Sequence, residues 1–246
     1  MNLPRLKISI VIPAFNEERL LAGTLAQVQA ARQAFTAGGV ESELIVCDNN
    51  STDRTAEIAR AGGATVVFEP VNQIARARNR GAEVAVGDWL LFIDADSHPS
   101  AELFSDVVET IRSGRCLAGG VTIRLEGNYR WANLVTAGWN WVSRRKRLLA
   151  GSFIFIDAAV FRTVGGFNNE LFVTEELDLS ARLRPVAKET GREVVILRRH
   201  PLVTSARKIE LYTGRDHLRL LWRMMWNRQA AFRDKEACHL WYDGRR

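Results

Sequence analysis

Two carboxylates two residues apart are the part of this chain in which chemistry is most readable. Phe92-Ile93-Asp94-Ala95-Asp96 closes a short apolar run. Side chains alternate across a strand, so Asp94 and Asp96 point one way at its end while Ala95 turns to the other side. Carboxylates held that close repel each other, and a hard divalent cation with oxygen ligands relieves the repulsion. Mg2+ or Mn2+ there would link the pair to a diphosphate and neutralise charge on a leaving group. A third carboxylate stands in Cys47-Asp48-Asn49-Asn50-Ser51-Thr52-Asp53. Asp48 is placed either to hold a base or ribose hydroxyl or to cap the helix that follows.

These residues fall at the ends of a regular pattern. Ile8 to Ile12, Leu44 to Cys47 and Thr65 to Phe68 read as strands, each followed by a helical pattern, and Trp89 to Ile93 is a fourth strand. Leu21, Leu25 and Val28 share one helix face, and Asn50 to Asp53 is a capping-type run before the next helix. Alternation at this spacing predicts an α/β fold, a Rossmann-like, mainly parallel sheet flanked by helices, with ligands at the carboxyl ends of the strands. Farther on, Ser100 caps a helix bearing Leu103, Val107 and Ile111. Leu117 to Leu125, Ser152 to Ile156 and Val194 to Leu197 read as strands, and Glu175 to Lys188 as a helix whose last turns Pro185 should disturb. The turn after the first strand, Ala14-Phe15-Asn16-Glu17-Glu18, lacks the glycine-rich phosphate loop, which disfavours a nicotinamide or flavin cofactor.

Val11-Ile12-Pro13-Ala14-Phe15-Asn16-Glu17-Glu18, the Asp48 segment and the Asp94 segment, in this order and spacing, resemble the family 2 glycosyltransferases, which have the GT-A fold. The likeness runs from Ile8 to about Arg207. It implies that Pro13, Phe15 and Glu17 border the nucleotide base, that Asp48 binds base or ribose, and that Asp94 and Asp96 form the metal motif. Ala75-Arg76-Ala77-Arg78-Asn79-Arg80-Gly81 also matches, and the likeness gives Arg76 or Arg78 to the donor. Gly165-Gly166-Phe167-Asn168 and the stretch from Thr174 to Leu183 match the acceptor side. The family's general base is usually an aspartate, and Glu176 stands in its place, with Asp178 as the competing candidate. Val203 to Lys208 is similar to the loop that closes over the donor, with Arg207 available to clamp a phosphate. The implied activity is an inverting, metal-dependent transfer of a hexosyl group from a UDP- or GDP-sugar to an acceptor hydroxyl, the acceptor being a saccharide or a lipid-linked molecule. The rival readings are a nucleotide-sugar-binding module that lost catalysis through the Glu176 change, and a nucleotidyltransferase, which would need a basic glycine-rich loop after the first strand.

Composition narrows the partners. The chain has 246 residues and a formal charge of +6. From Arg198 onward twelve Lys and Arg face five Asp and Glu, so the excess sits at the C-terminal end. That pattern fits a local anionic partner rather than a protein that coats nucleic acid. Residues 1–208 are expected to form the transferase domain and 209–246 a basic helical extension. Leu218, Leu221, Trp222, Met225 and Phe232 make a stripe there, which either packs on the domain or lies on an anionic membrane face. Trp131, Trp139 and Trp141, beside Arg144-Arg145-Lys146-Arg147, fit an acceptor pocket, with at least one of them expected in the core. Unpaired cysteines at 47, 116 and 238 and the lack of a spanning or signal-type run give a cytoplasmic expectation.

Overall fold

The computed structural model describes residues 6–127, 129–149 and 151–205. Among them one sheet is built from β1 (Lys7–Ala14), β2 (Glu41–Asp48), β3 (Thr65–Phe68), β4 (Trp89–Ile93), β5 (Ser97–His98), β6 (Cys116–Leu125), β7 (Phe153–Asp157) and β8 (Glu193–Thr204). Across the sheet the order is β3-β2-β1-β4-β7-β6-β8-β5. β3, β2, β1 and β4 are parallel neighbours, as alternation of strand and helix requires. β7 then runs antiparallel between β4 and β6, and β5 antiparallel to β8. The second half is therefore mixed. A strand buried on both faces reads as the same apolar run whichever way it points, so direction could not be taken from sequence.

Alternation along the strands builds two cores, one on each face. Ile8, Ile10 and Ile12 of β1 and Leu91 and Ile93 of β4 enter the first, while Val11, Leu90 and Phe92 enter the second. The first face is covered by α1 (Leu21–Ala37), α2 (Thr55–Ala61) and α4 (Ala101–Arg112), with Phe35 stacked on Phe104 at 4.5 Å. The second is covered by α3 (Ile74–Val84), α6 (Ala158–Thr163) and α7 (Glu175–Thr190), around a cluster of the Phe92, Phe161 and Phe167 rings. Each fully buried side chain of this size contributes about 1.5–3 kcal/mol.

Ser100 caps α4 as expected, its hydroxyl accepting the Leu103 N–H at 3.2 Å. From the 50–53 run, Asp53 meets the start of α2, its Oδ1 accepting the Thr55 N–H at 2.9 Å, while the N-cap position itself is Arg54, without a side-chain bond. α7 continues through Pro185 to Thr190. The proline removes the bond to the Ala181 carbonyl, and both residues lie on the exposed side, where water can take its place. α5 (Arg130–Lys146) covers the Trp-containing segment and packs beside β6. None of its tryptophans is in the core: Trp131 and Trp141 are 54% and 62% exposed, and Trp139 is half-buried. Among the described residues no helix is long and apolar enough to cross a membrane. Arg207, Cys238 and the whole 209–246 extension lie outside the described residues.

Candidate active site

The carboxyl ends of β1, β2 and β4 lie side by side, with Ala14 in register with Asp48 and Val11 with Phe92. Pro13 is buried and Phe15 half-buried, while Glu17 and Asp48 are 5% and 8% exposed. The loops after β1 and β2 are knitted together. Asn16 N donates to Ser51 Oγ at 3.0 Å, Thr52 N to Asn16 Oδ1 at 2.8 Å, and Glu17 N to Thr55 Oγ1 at 2.8 Å. Asn16 takes a left-handed φ of 52°, which asparagine tolerates better than most residues. The polar run at 50–53 thus joins two loops, and Asp48 Oδ1 accepts the Ser51 N–H at 3.0 Å within its own turn.

Asp94 and Asp96 flank a buried Ala95, whose carbonyl accepts the Thr24 hydroxyl at 2.7 Å. Both acidic residues are half-buried at the sheet edge. Arg78, 1% exposed, reaches Asp94 from α3. Its Nη2 donates to Asp94 Oδ1 at 2.9 Å and to the Gly151 carbonyl at 2.8 Å, and its Nη1 to Glu175 Oε1 at 2.6 Å. The guanidinium also lies over the Phe167 ring, 5.2 Å from its centre. Burial opposes the Arg78 charge, but Asp94, Glu175 and Glu176 outweigh it and raise the pKa above the ordinary arginine value. Burial and the neighbouring Glu176 push the Glu175 carboxyl up to about 8, against the pull of Arg78. Glu176 is half-buried on the same turn, and a Cβ added at Gly151 would lie 3.1 Å from Arg78 Nη2 and 3.5 Å from Glu176 Oε1. Glycine at 151 thus leaves room between the strand-end carboxylates and the start of α7. The residue before this helix, Thr174, has φ 66°, a costly conformation for a β-branched side chain.

The knitted β1–β2 rim and the acidic end of β4 lie on one open sheet, and a buried cation ties that acidic end to the start of α7. The family model described as Glycosyl transferase family 2 matches residues 9–163. The chain belongs to that family. This family 2 chain is 31% identical over 183 residues to the PGL/p-HBAD biosynthesis glycosyltransferase of Mycobacterium tuberculosis, covering 71% of its own length and 68% of the relative's. Its fold is similar to that of the mannosyltransferase PcManGT from Pyrobaculum calidifontis, solved with GDP-Man and Mn2+, at a TM-score of 0.67 and 18% identity. That match covers 96% of this chain and 65% of the mannosyltransferase. Glucosyl-3-phosphoglycerate synthase from Mycobacterium tuberculosis, solved with Mn2+, UDP-Glc and phosphoglyceric acid, aligns at a TM-score of 0.60 and 22% identity, over 96% of this chain and 80% of that one. The architecture is of the GT-A type, and the family 2 chain is a glycosyltransferase.

Beyond the Arg78 cluster, the transferase carries a second tier of polar ties. Asp178 Oδ2 accepts from Arg182 Nε at 2.7 Å, and Arg182 also donates to the Val164 and Gly166 carbonyls. Asn79 accepts the Phe167 N–H and donates to its carbonyl. Gln73 Nε2 donates to the carbonyls of Asn169 and Leu171, both at 2.8 Å, while Gln73 N donates to Asn49 Oδ1 at 2.8 Å. Arg76 is half-buried and donates to Gln73 Oε1 at 3.0 Å. His200 Nδ1 lies 2.9 Å from Asp106 Oδ2 on α4, so its ring is engaged there.

Glu175, Gly151, Gln73 and Asn49 escaped the sequence reading. For Arg78 a signal did exist: Ala75, Arg78 and Ala82 recur at helical spacing with Gly81 beside them, a stripe of small residues with one arginine set into it. Nothing comparable marks Gly151, whose contribution is a backbone carbonyl. For a divalent ion, the described residues hold no cluster of three or more His, Cys, Asp or Glu arranged as a ligand set. The Asp94 and Asp96 pair still fits one, because Mg2+ is usually held by one or two carboxylates, with water and substrate phosphates completing its shell.

Proposed function

We propose that this glycosyltransferase moves a sugar, with inversion, from a UDP- or GDP-sugar to an acceptor hydroxyl. The observation that carries the reading is the Arg78 tie, which draws Asp94 just beyond β4 and the start of α7 together around the Gly151 carbonyl. Pro13, Phe15, Glu17 and Asp48 would receive the nucleoside at the knitted β1–β2 rim. Asp94 and Asp96 would hold Mg2+ or Mn2+, which when bound supplies positive charge to the departing diphosphate. The solved neighbours containing Mn2+ with GDP-Man or UDP-Glc support that assignment.

Glu176 is the general base in this reading. It takes the acceptor hydroxyl proton as that oxygen forms a bond to the anomeric carbon, and the bond from that carbon to the phosphate oxygen breaks, releasing nucleoside diphosphate. Asp178 is less suited to the step, since Arg182 occupies its Oδ2 and uses the pair to brace the 164–166 turn. Arg78 acts through other groups: it is buried, and its role is to fix the Asp94 carboxylate and the α7 terminus. Arg76, on the more open side of α3, is the better placed of the two arginines for a donor phosphate, and Arg207 is a second candidate from beyond the described residues.

The test is a panel of UDP-, GDP- and dTDP-sugars with and without Mn2+, read by thermal shift and by release of nucleoside diphosphate. One donor should raise the melting temperature in an Mn2+-dependent way that Asp96→Asn abolishes. Glu176→Gln should keep that shift and lose release by about 100-fold or more, while Asp178→Asn should retain most of it. Native-like turnover by Glu176→Gln would remove Glu176 as the base.

A further inference from the structure

Helix α5 is built inside out. Its domain side is mostly small and polar: Ala132 and Ser143 are buried with half-buried Trp139 beside them, and the Asn140 side chain bonds both backbone groups of Ile123 on β6, at 3.0 and 2.9 Å. Its outer side carries Trp131, Leu134, Val135 and Trp141, exposed by 54%, 75%, 63% and 62%. At about 100° per residue these four fall within an arc of about 120°, opposite the side that meets β6. Scattered exposed apolar residues are ordinary, but a continuous stripe with two tryptophans marks a surface that meets a partner.

The charge on the helix selects among partners. No acidic residue occurs between Arg130 and Lys146, and exposed Arg144, Arg145 and Lys146 fill the last turn, with exposed Arg130 at the first. A second copy of this face would set like charges against like. The C-terminal extension has an apolar stripe of its own, but its excess of Lys and Arg does not complement the basic ends of α5. An anionic lipid surface answers both properties, since tryptophan and leucine side chains settle at headgroup depth while arginine and lysine meet the phosphates.

We propose that α5 is an interfacial helix that seats the protein on an anionic bilayer, with Trp131, Leu134, Val135 and Trp141 entering the headgroup boundary and Arg130, Arg144, Arg145 and Lys146 over acidic lipids. The inference stands on α5 alone and is independent of the assignments at Glu176 and Asp96. Five residues after the end of α5 the chain reaches Gly151, whose carbonyl accepts from Arg78.

Flotation of the full chain with phosphatidylcholine vesicles, with and without phosphatidylglycerol, tests it. The native chain should float with the anionic vesicles only, and less so as salt rises. Trp131→Ser with Trp141→Ser should lower the partition coefficient by about tenfold or more. Arg144→Gln with Arg145→Gln should lower it by about twentyfold at low salt. All four positions are exposed, so the melting temperatures should stay at the native value. A control pair in the extension, Arg219→Gln with Arg223→Gln, should leave most of the binding in place. Failure of the native chain to float overturns the proposal, as does native-like flotation of either α5 variant. It is also overturned if Trp141→Ser converts a dimer in solution to a monomer without affecting vesicles, because the face then belongs to a second copy.

Discussion

Replacing Arg78 with methionine removes a charge at nearly constant volume from a site that is 1% exposed. Three hydrogen bonds disappear, to Glu175, Asp94 and the Gly151 carbonyl. Asp94 is half-buried and can recover hydration, but Glu175 is 3% exposed and is left in the core without its cation. With its pKa raised to about 8, Glu175 is left as a buried, mainly protonated carboxyl without its partner, which costs about 1–3 kcal/mol. For a chain of this size each kcal/mol moves the melting temperature by about 2–4 °C, so a fall of about 2–12 °C is expected. Adding Glu175→Leu removes the unpartnered carboxyl and should restore stability to within about 1 kcal/mol of native. Turnover should not recover with it, because Asp94 still lacks the donor that holds it. Urea unfolding of the native chain, both single variants and the double variant closes the cycle, with a coupling of about 1 kcal/mol or more expected. A coupling under about 0.5 kcal/mol, or full activity in Arg78→Met, would refute the view that this arginine assembles the site.

Other outcomes follow from single environments. Gly166 has φ 68°, and a Cβ there would sit 2.7 Å from Asn79 Oδ1, so Gly166→Ala should cost about 1–3 kcal/mol in urea unfolding and loosen the turn that Arg182 braces. Burial raises the Cys47 thiol to about 12 and the Cys116 thiol to about 11, so peptides containing either residue should stay unmodified by iodoacetamide at about pH 8 until denaturant is added. Glu175 is raised from an ordinary 4.5 to about 8, so the folded state holds a proton that the unfolded state releases. Its stabilising contribution is fully present below pH 4.5 and is lost as the pH rises through about 8. Glu175→Gln should therefore flatten the decline in unfolding free energy across that window, and an unchanged slope would speak against the shift.

The parts of the fold that could be read ahead are those where one residue type does one job. Thr65–Phe68 and Trp89–Ile93 were visible as apolar runs between turns, and Ser100 as the cap of α4. Asp94 and Asp96 were readable because a two-residue period at a strand end leaves few places for the side chains to go. What escaped depends on contacts distant in sequence. Glu175 is joined to Arg78 across 97 positions, and no local pattern distinguishes its carboxylate from those of Glu176 and Asp178. The reversal of β7 was hidden by burial on both faces. For α5 the tryptophans and the basic run were evident, but a periodic stripe gives no sign of which side meets the protein, and here the polar side does.

Gln73 has a wider consequence than its two side-chain bonds suggest. It grips the 169–171 segment, 96 and 98 positions away, while its own N–H is held by Asn49 at the foot of β2. The loop after β2 and the 169–171 segment are thereby joined through one residue, so they cannot part without breaking these three bonds. The ordering entropy of the mouth was lost when the domain folded, and an arriving donor has little of it left to overcome. Differences in fit among nucleotide sugars should therefore appear undiluted as differences in affinity.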